Sequence, residues 1–335
     1  MIFLNQVESV LEASSPPAPE PGDTFHYELE ALYNGAAICD RMTGRFSGSV
    51  LQFMGFGEIV RSFMELRSLT VCDIYCTIYR VYADGSEVST GYPILEVLYH
   101  RGKVLAPVYR TADDFLAGSF LYPYKQVCVN GNSSFSLYYY AAAAGTITVS
   151  RTFADGTTDT LTYSSVTGLS YVVINRGTSS GGAAGVHAHV EFGYRKMDIY
   201  FLKAEVREQF IFRNMFNVQE YVTIPASLSS EPKTEFEEAQ QDSVLQRYDI
   251  EQQLSMQVKS ASIPSVLYNQ LLAMCRAKSV MYDTRESMPS TVATARYVII
   301  EEYKLAKSTA PNTSLTVELK FKYCDTEMND VVLIQ

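Results

Sequence analysis

Two histidines one residue apart, His187 and His189, are the side chains in this sequence best spaced for chemistry. On an extended strand, side chains alternate between faces. His187, His189 and Glu191 would then share one face, and Ala188, Val190 and Phe192 the other. Alternate strand residues stand about 6–7 Å apart, close enough for two imidazoles to reach one metal ion. A catalytic metal generally takes three protein ligands, and no third is evident at usable spacing. Glu191 follows too soon, and His26 and His100 fall in an earlier stretch of the chain. The expectation is a solvent-facing pair, with no metal and no other cofactor.

The other constellations are weaker. No G-x-S-x-G elbow marks a nucleophile, and neither a phosphate-binding loop nor a dinucleotide fingerprint is present. Glu301 and Glu302 are neighbours that would face opposite ways on a strand, so they are not expected to share a substrate. Of Tyr138, Tyr139 and Tyr140, at most two can share a surface, which suits an ordinary β-sandwich strand better than a sugar platform. Cysteines stand at 39, 72, 76, 128, 275 and 324. Within one strand Cys72 and Cys76 would lie about 13 Å apart, and a disulfide needs less than about 7 Å. Six reduced thiols are expected, in a protein made in a reducing bacterial cytoplasm. No catalytic residue can be assigned, and the chain is read as non-enzymatic.

The elements that carry these residues are β-rich by composition. The 335 residues include 24 Tyr and 17 Phe but no Trp, with 47% hydrophobic and 19% charged side chains. Aromatic and β-branched residues fit pleated, half-buried surfaces. The net charge of −10 repels phosphate backbones, which argues against a sequence-specific grip on nucleic acid. No apolar run reaches the ~18 residues of a membrane span. The opening, residues 1–15, lacks the basic and apolar regions of a secretory signal.

The fold class expected is mainly β with a few helices: β-sandwich-type domains and an α+β C-terminal unit. Residues 1–22 read as an N-terminal arm on a proline-rich spacer, because Pro16, Pro17, Pro19 and Pro21 favour extended chain. Residues 23–103 read as a β domain with one helix, its apolar face built from Phe56, Ile59, Val60, Phe63 and Met64. A strand should follow with Cys72, Ile74, Cys76 and Ile78 on one face, then a turn at Asp84-Gly85 and a return strand over 91–100. Residues 104–205 read as a β-sandwich-like domain with strands at 135–140 and 147–153, an Asp155-Gly156 turn and a flexible loop over 177–185. Residues 206–335 read as a β-sandwich-plus-helix domain. It should hold a strand-like stretch from Phe210 to Ile224, an exposed loop over 227–241, a helix over 264–278 with Pro264 in its first turn, and an alternating strand over 315–323.

Three phrases carry a resemblance: Asp114 to Leu121, the Ala-Asp-Gly hairpin, and Phe210-Ile211-Phe212-Arg213-Asn214-Met215-Phe216-Asn217-Val218-Gln219-Glu220. Together with the aromatic strand near Tyr138 and the closing strand, the order resembles tail-associated structural proteins of Bacteroidota phages and prophages, of the distal-tail or baseplate type. The resemblance implies a virion tail location and a homo-oligomeric ring in contact with other tail proteins, and it transfers no catalytic residue. An acidic lumen would let DNA pass without sticking. Candidate assembly contacts are the apolar ends, Ile2, Phe3, Leu4 and Val7 at one terminus and Val331, Val332, Leu333 and Ile334 at the other. The alternative from a different class is a carbohydrate- or receptor-binding β module, an adhesin or fibre adaptor.

Overall fold

A computed structural model describes residues 2–4, 10–14, 24–47, 50–101, 112–130, 134–202, 208–241, 244–283, 295–307 and 314–324. The chain is mainly β with few helices. Its buried apolar side chains gather into three clusters. Among the described residues, no helix is long and apolar enough to cross a membrane.

In the first cluster, helix α1 (Phe56–Leu66) buries Phe56, Val60 and Met64, spaced four apart on one stripe. It packs with the Val71–Tyr82 strand, whose Cys72, Ile74, Cys76 and Ile78 all point inward. The return strand starts earlier than its sequence suggests. Glu87–Gly91 and Leu95–Leu98 both run antiparallel to Val71–Tyr82, separated by a short break at Pro93. Proline has no N–H to give a ladder, which accounts for the break.

The N-terminal segment corrects the reading of a tethered arm. Ile2–Phe3 pairs in parallel with Leu95–Leu98, and Val10–Ser14 pairs antiparallel with Val50–Met54. Leu4 is 1% exposed, within the first core. The proline-rich stretch over 15–23 lies outside the described residues. Leu4 finds within its own chain the burial that an exchanged arm would seek in a neighbour. Val7 and Val331–Ile334 lie outside the described residues.

The second cluster fills a sandwich. One sheet has the order Gln126–Asn130, Arg195–Leu202, Gly185–Phe192, Thr146–Phe153, Thr158–Ser164, and the other pairs Phe135–Ala141 with Gly168–Ile174. Val149, Val190 and Ile199 from one sheet meet Leu137, Tyr139 and Val172 from the other. Helix α2 (Ala112–Gly118) adds Phe115 and Leu116. The two Ala-Asp-Gly phrases form the same turn: Asp84 Oδ1 accepts from Ser86 N at 2.9 Å, and Asp155 Oδ1 from Thr157 N at 3.0 Å. Gly85 and Gly156 both take φ +82, open to glycine at little cost. The 177–185 stretch is a closed turn rather than a loose loop. Thr178 bridges Ala184, and Ser179 Oγ donates to Asp155 at 2.8 Å.

The third cluster lies on a seven-stranded sheet of order Gln219–Ile224, Glu208–Arg213, Val280–Asp283, Ala295–Lys307, Ser314–Tyr323, Val244–Pro264, Ser227–Gln241. Leu315, Val317, Leu319, Phe321 and Tyr323 are buried in strict alternation. Three expectations fail here. The Phe210-to-Ile224 stretch is a hairpin, Glu208–Arg213 with Gln219–Ile224, closed by a turn in which Asn217 takes φ +62. Residues 227–241 form a strand and not a loop, since charge on a segment does not forbid pairing when a partner strand follows at once. Helix α3 is Leu267–Cys275, and Pro264 ends the preceding strand instead of starting the helix.

Candidate functional site

The histidine pair falls on a strand as expected, with Ala188 and Val190 buried and His187 and His189 on the opposite, half-buried face. The neighbouring strand places Asp198 opposite His189. Asp198 Oδ1 lies 3.0 Å from His187 Nε2 and 2.8 Å from His189 Nδ1. The second nitrogen of His189 lies 3.3 Å from Glu191 Oε1, and Lys196 Nζ lies 2.7 Å from the same oxygen. His189 is thus held chiefly by Asp198 with Glu191 behind it, and its pKa is raised because both carboxylates favour the imidazolium.

Both rings point at one carboxylate oxygen instead of converging on an open centre. Among the described residues, no group of three or more His, Cys, Asp and Glu is arranged to hold a metal ion. At His189 the nitrogen opposite Asp198 is turned to Glu191 and not to a hydroxyl. Asp198 is the partner that sequence reasoning missed. Its place is set by cross-strand register, which the spacing of the histidines does not encode.

The glutamate pair Glu301 and Glu302 departs from the alternation argument. A register shift between Ile300 and Glu302 interrupts the ladder. Glu301 then meets Lys322 at 3.1 Å, and Glu302 meets Lys320 at 3.2 Å. Lys320 and Lys322 share one face of their strand, so the bulge brings both carboxylates to that face. Each is paired with a lysine, which suits a solvated surface and leaves no acid–base couple.

The aromatic triplet splits as predicted: Tyr139 is 2% exposed in the core, while Tyr138 and Tyr140 face outward. The Tyr138 and Tyr171 rings lie against each other, centres 5.3 Å apart and tilted by 37°, and Tyr171 is 54% exposed.

The densest polar construction joins all three cores. The turn after Phe212 reaches each of them. Phe216 enters the second core, stacked on Phe115 at 5.0 Å and edge-on to His100 at 5.4 Å. Asn217 Nδ2 donates to the Leu69 carbonyl at 3.0 Å, just past α1. Asn214 Nδ2 donates to the Leu121 carbonyl at 2.9 Å and to Glu220 Oε1 at 2.6 Å. Tyr124 donates to the other oxygen of Glu220. Burial pushes the Glu220 carboxyl up to about 7, against the pull of these two donors. Across the junction Lys278 pairs with Glu65, which also accepts from Tyr99 at 2.8 Å. Burial raises the Glu65 carboxyl, but those two donors outweigh it and leave the pKa lowered.

Two clefts open on this junction, of about 560 and 660 Å³, and both are lined by Arg101, Arg213 and Asn214. The first adds Arg276 at the end of α3, and among the described residues no carboxylate lines it. The second adds Lys278 and holds one carboxylate, Glu65. In a chain of net charge −10, this is a concentrated basic groove. The cations come from positions 101, 213, 276 and 278, so no local motif announces them. No family model, no curated protein and no solved structure matches this chain.

Proposed function

We propose that this chain is a virion structural subunit of a phage tail, of the tip or baseplate type, that works by assembling with copies of itself and with other tail proteins. One observation carries the assembly reading. The strands Ser227–Gln241 and Val244–Pro264 form a hairpin whose pairing runs from Ser227↔Lys259 to Gln241↔Val244. The flanking strand Ser314–Tyr323 pairs with it only from Met256 onward. Beyond that point, about twelve residues per strand continue as a two-stranded ribbon about 40 Å long. Among the described residues no third strand covers it. An isolated two-stranded ribbon is marginal in water, and its open edges are ready templates for another chain. The tail location rests on the resemblance of the Phe210–Glu220 and Asp114–Leu121 phrases.

Light scattering and negative-stain microscopy of the purified full chain test this reading. Discrete oligomers or rings are expected. Replacing residues 231–254 by a two-residue Asn-Gly turn should reduce assembly while the cooperative melt persists, because the Ser314–Tyr323 strand pairs with the hairpin only from Met256 onward. A strictly monomeric full chain at high concentration counts against it. The alternative, a carbohydrate- or receptor-binding module, is favoured by exposed Tyr171 beside half-buried Tyr138. Glycan binding lost in Tyr171→Ala would support that alternative.

A further inference from the structure

We infer that the basic groove at the three-core junction receives the acidic ribbon of a second copy of this chain, an inference that rests on the assembly reading. The groove carries Arg101, Arg213 and Arg276, with no opposing carboxylate in its first cleft among the described residues. Arg101 and Arg276 are exposed, while Arg213 is half-buried and fixed by its guanidinium donating to the Asn217 carbonyl at 3.0 Å. Like charges gathered in one concave site repel one another, and an anionic partner relieves that repulsion. The ribbon is the complementary part. Residues 231–254 hold Glu231, Glu235, Glu237, Glu238, Asp242, Asp249 and Glu251 against only Lys233 and Arg247, a net charge of −5.

The two surfaces differ, so the contact is heterologous: the ribbon of one copy meets the groove of the next. Contacts of this kind close into rings when the rotation between copies divides a full turn, and otherwise run on as filaments. The clefts have room for a few acidic side chains at a time, not for the ribbon itself. Guanidinium groups suit this role, because their planar forks bind carboxylates with two hydrogen bonds at once. The location also has a mechanical consequence. A partner seated there touches the residues that hold the three cores together, so binding stiffens the relative placement of those cores.

Charge reversal in the full chain tests this. Arg101→Glu with Arg276→Glu changes two exposed groove side chains. Glu235→Lys, Glu237→Lys and Glu238→Lys change the ribbon. Each set alone is expected to weaken self-association at least tenfold by sedimentation, with an unchanged melt. Combining both sets in one chain is expected to restore association, since attraction returns with the signs exchanged. The milder pair Arg101→Gln and Arg276→Gln should weaken association less than the reversal, which guards against a reversal that fails to fold. Added salt should weaken wild-type association, because the Debye length is about 10 Å at 0.1 M. Wild-type assembly by the groove variants overturns this inference and leaves the assembly reading standing. A wild-type chain that never associates overturns both. If millimolar inorganic phosphate raises the melting temperature while the ribbon reversal assembles normally, the groove serves some other anion and the inference falls.

Discussion

Asn214 and Glu220 lock the junction hairpin from inside: Asn214 Nδ2 lies 2.6 Å from Glu220 Oε1, and both side chains are buried. The amide is used fully. Its Oδ1 accepts from Phe216 N at 2.8 Å and Val218 N at 3.2 Å, shaping the turn that carries Phe216 into the neighbouring core. Truncating this side chain leaves the Phe216 and Val218 N–H groups and one oxygen of the buried Glu220 carboxyl without their partner, each costing about 1–3 kcal/mol. Asn214→Ala is therefore expected to lower stability by about 2–5 kcal/mol in urea unfolding. A loss under about 0.5 kcal/mol, within the range of ordinary surface substitutions, would contradict the role assigned to the amide.

Glu220 makes stability depend on pH. Its carboxyl is pushed from 4.5 to about 7, chiefly by burial. Below 4.5 the group is protonated in both folded and unfolded chains, and its contribution is fully present. Between 4.5 and 7 the unfolded chain ionises while the folded chain holds its proton, so stability falls as pH rises. Above 7 the loss is complete, on the order of 3 kcal/mol. Glu220→Gln should flatten this part of the curve. Urea midpoints at pH 5, 6, 7 and 8 decide the matter, and equal slopes in both proteins would refute it.

What could be read from the sequence was what local rules govern. The stripe Phe56, Val60, Met64 and the alternations at Cys72–Ile78 and Leu315–Tyr323 follow from side-chain period alone, and the fold places them as read. The two Asp-Gly turns follow from glycine's freedom at positive φ. Long-range pairing was not legible. Nothing near His189 signals Asp198, because register between strands depends on the whole sheet. The strand at 227–241 was hidden by its charge, since edge pairing needs no apolar alternation. The groove drew one arginine from each of three distant segments, and only the fold brings them together.

Burial governs the thiols. Cys72, Cys76, Cys128 and Cys275 are each pushed up to about 12, mainly by loss of solvent, while Cys324 is exposed. All six are unpaired. Alkylation depends on the thiolate. In native protein at pH 8, Cys324 should be modified first, then half-buried Cys39, whose thiol is also raised by burial and by Asp40. The other four should wait for unfolding. In denaturant without reductant, mass spectrometry should find six modified cysteines. A protected pair there would mean a disulfide.

The N-terminus gives the sharpest contrast between two physical accounts. As an exchanged arm, residues 1–14 would be dispensable for folding. In the fold they supply two strands to the first unit, at Ile2–Phe3 and Val10–Ser14, and a side chain, Leu4, buried with Leu29, Phe53, Phe56 and Val60. A buried leucine reduced to alanine loses its transfer energy and leaves a cavity, about 2–5 kcal/mol together. Leu4→Ala should therefore lower the melting temperature in dilute solution, where no second copy is bound. Deleting residues 1–14 should lower it further, because the Leu95–Leu98 and Val50–Met54 strands each lose a paired neighbour. Thermal melts over a hundredfold range of protein concentration separate the two accounts. A loss that is the same at every concentration places Leu4 in its own chain. A wild-type melt that itself rises with concentration, together with a truncated chain that matches it when dilute, would place the segment in a neighbour instead.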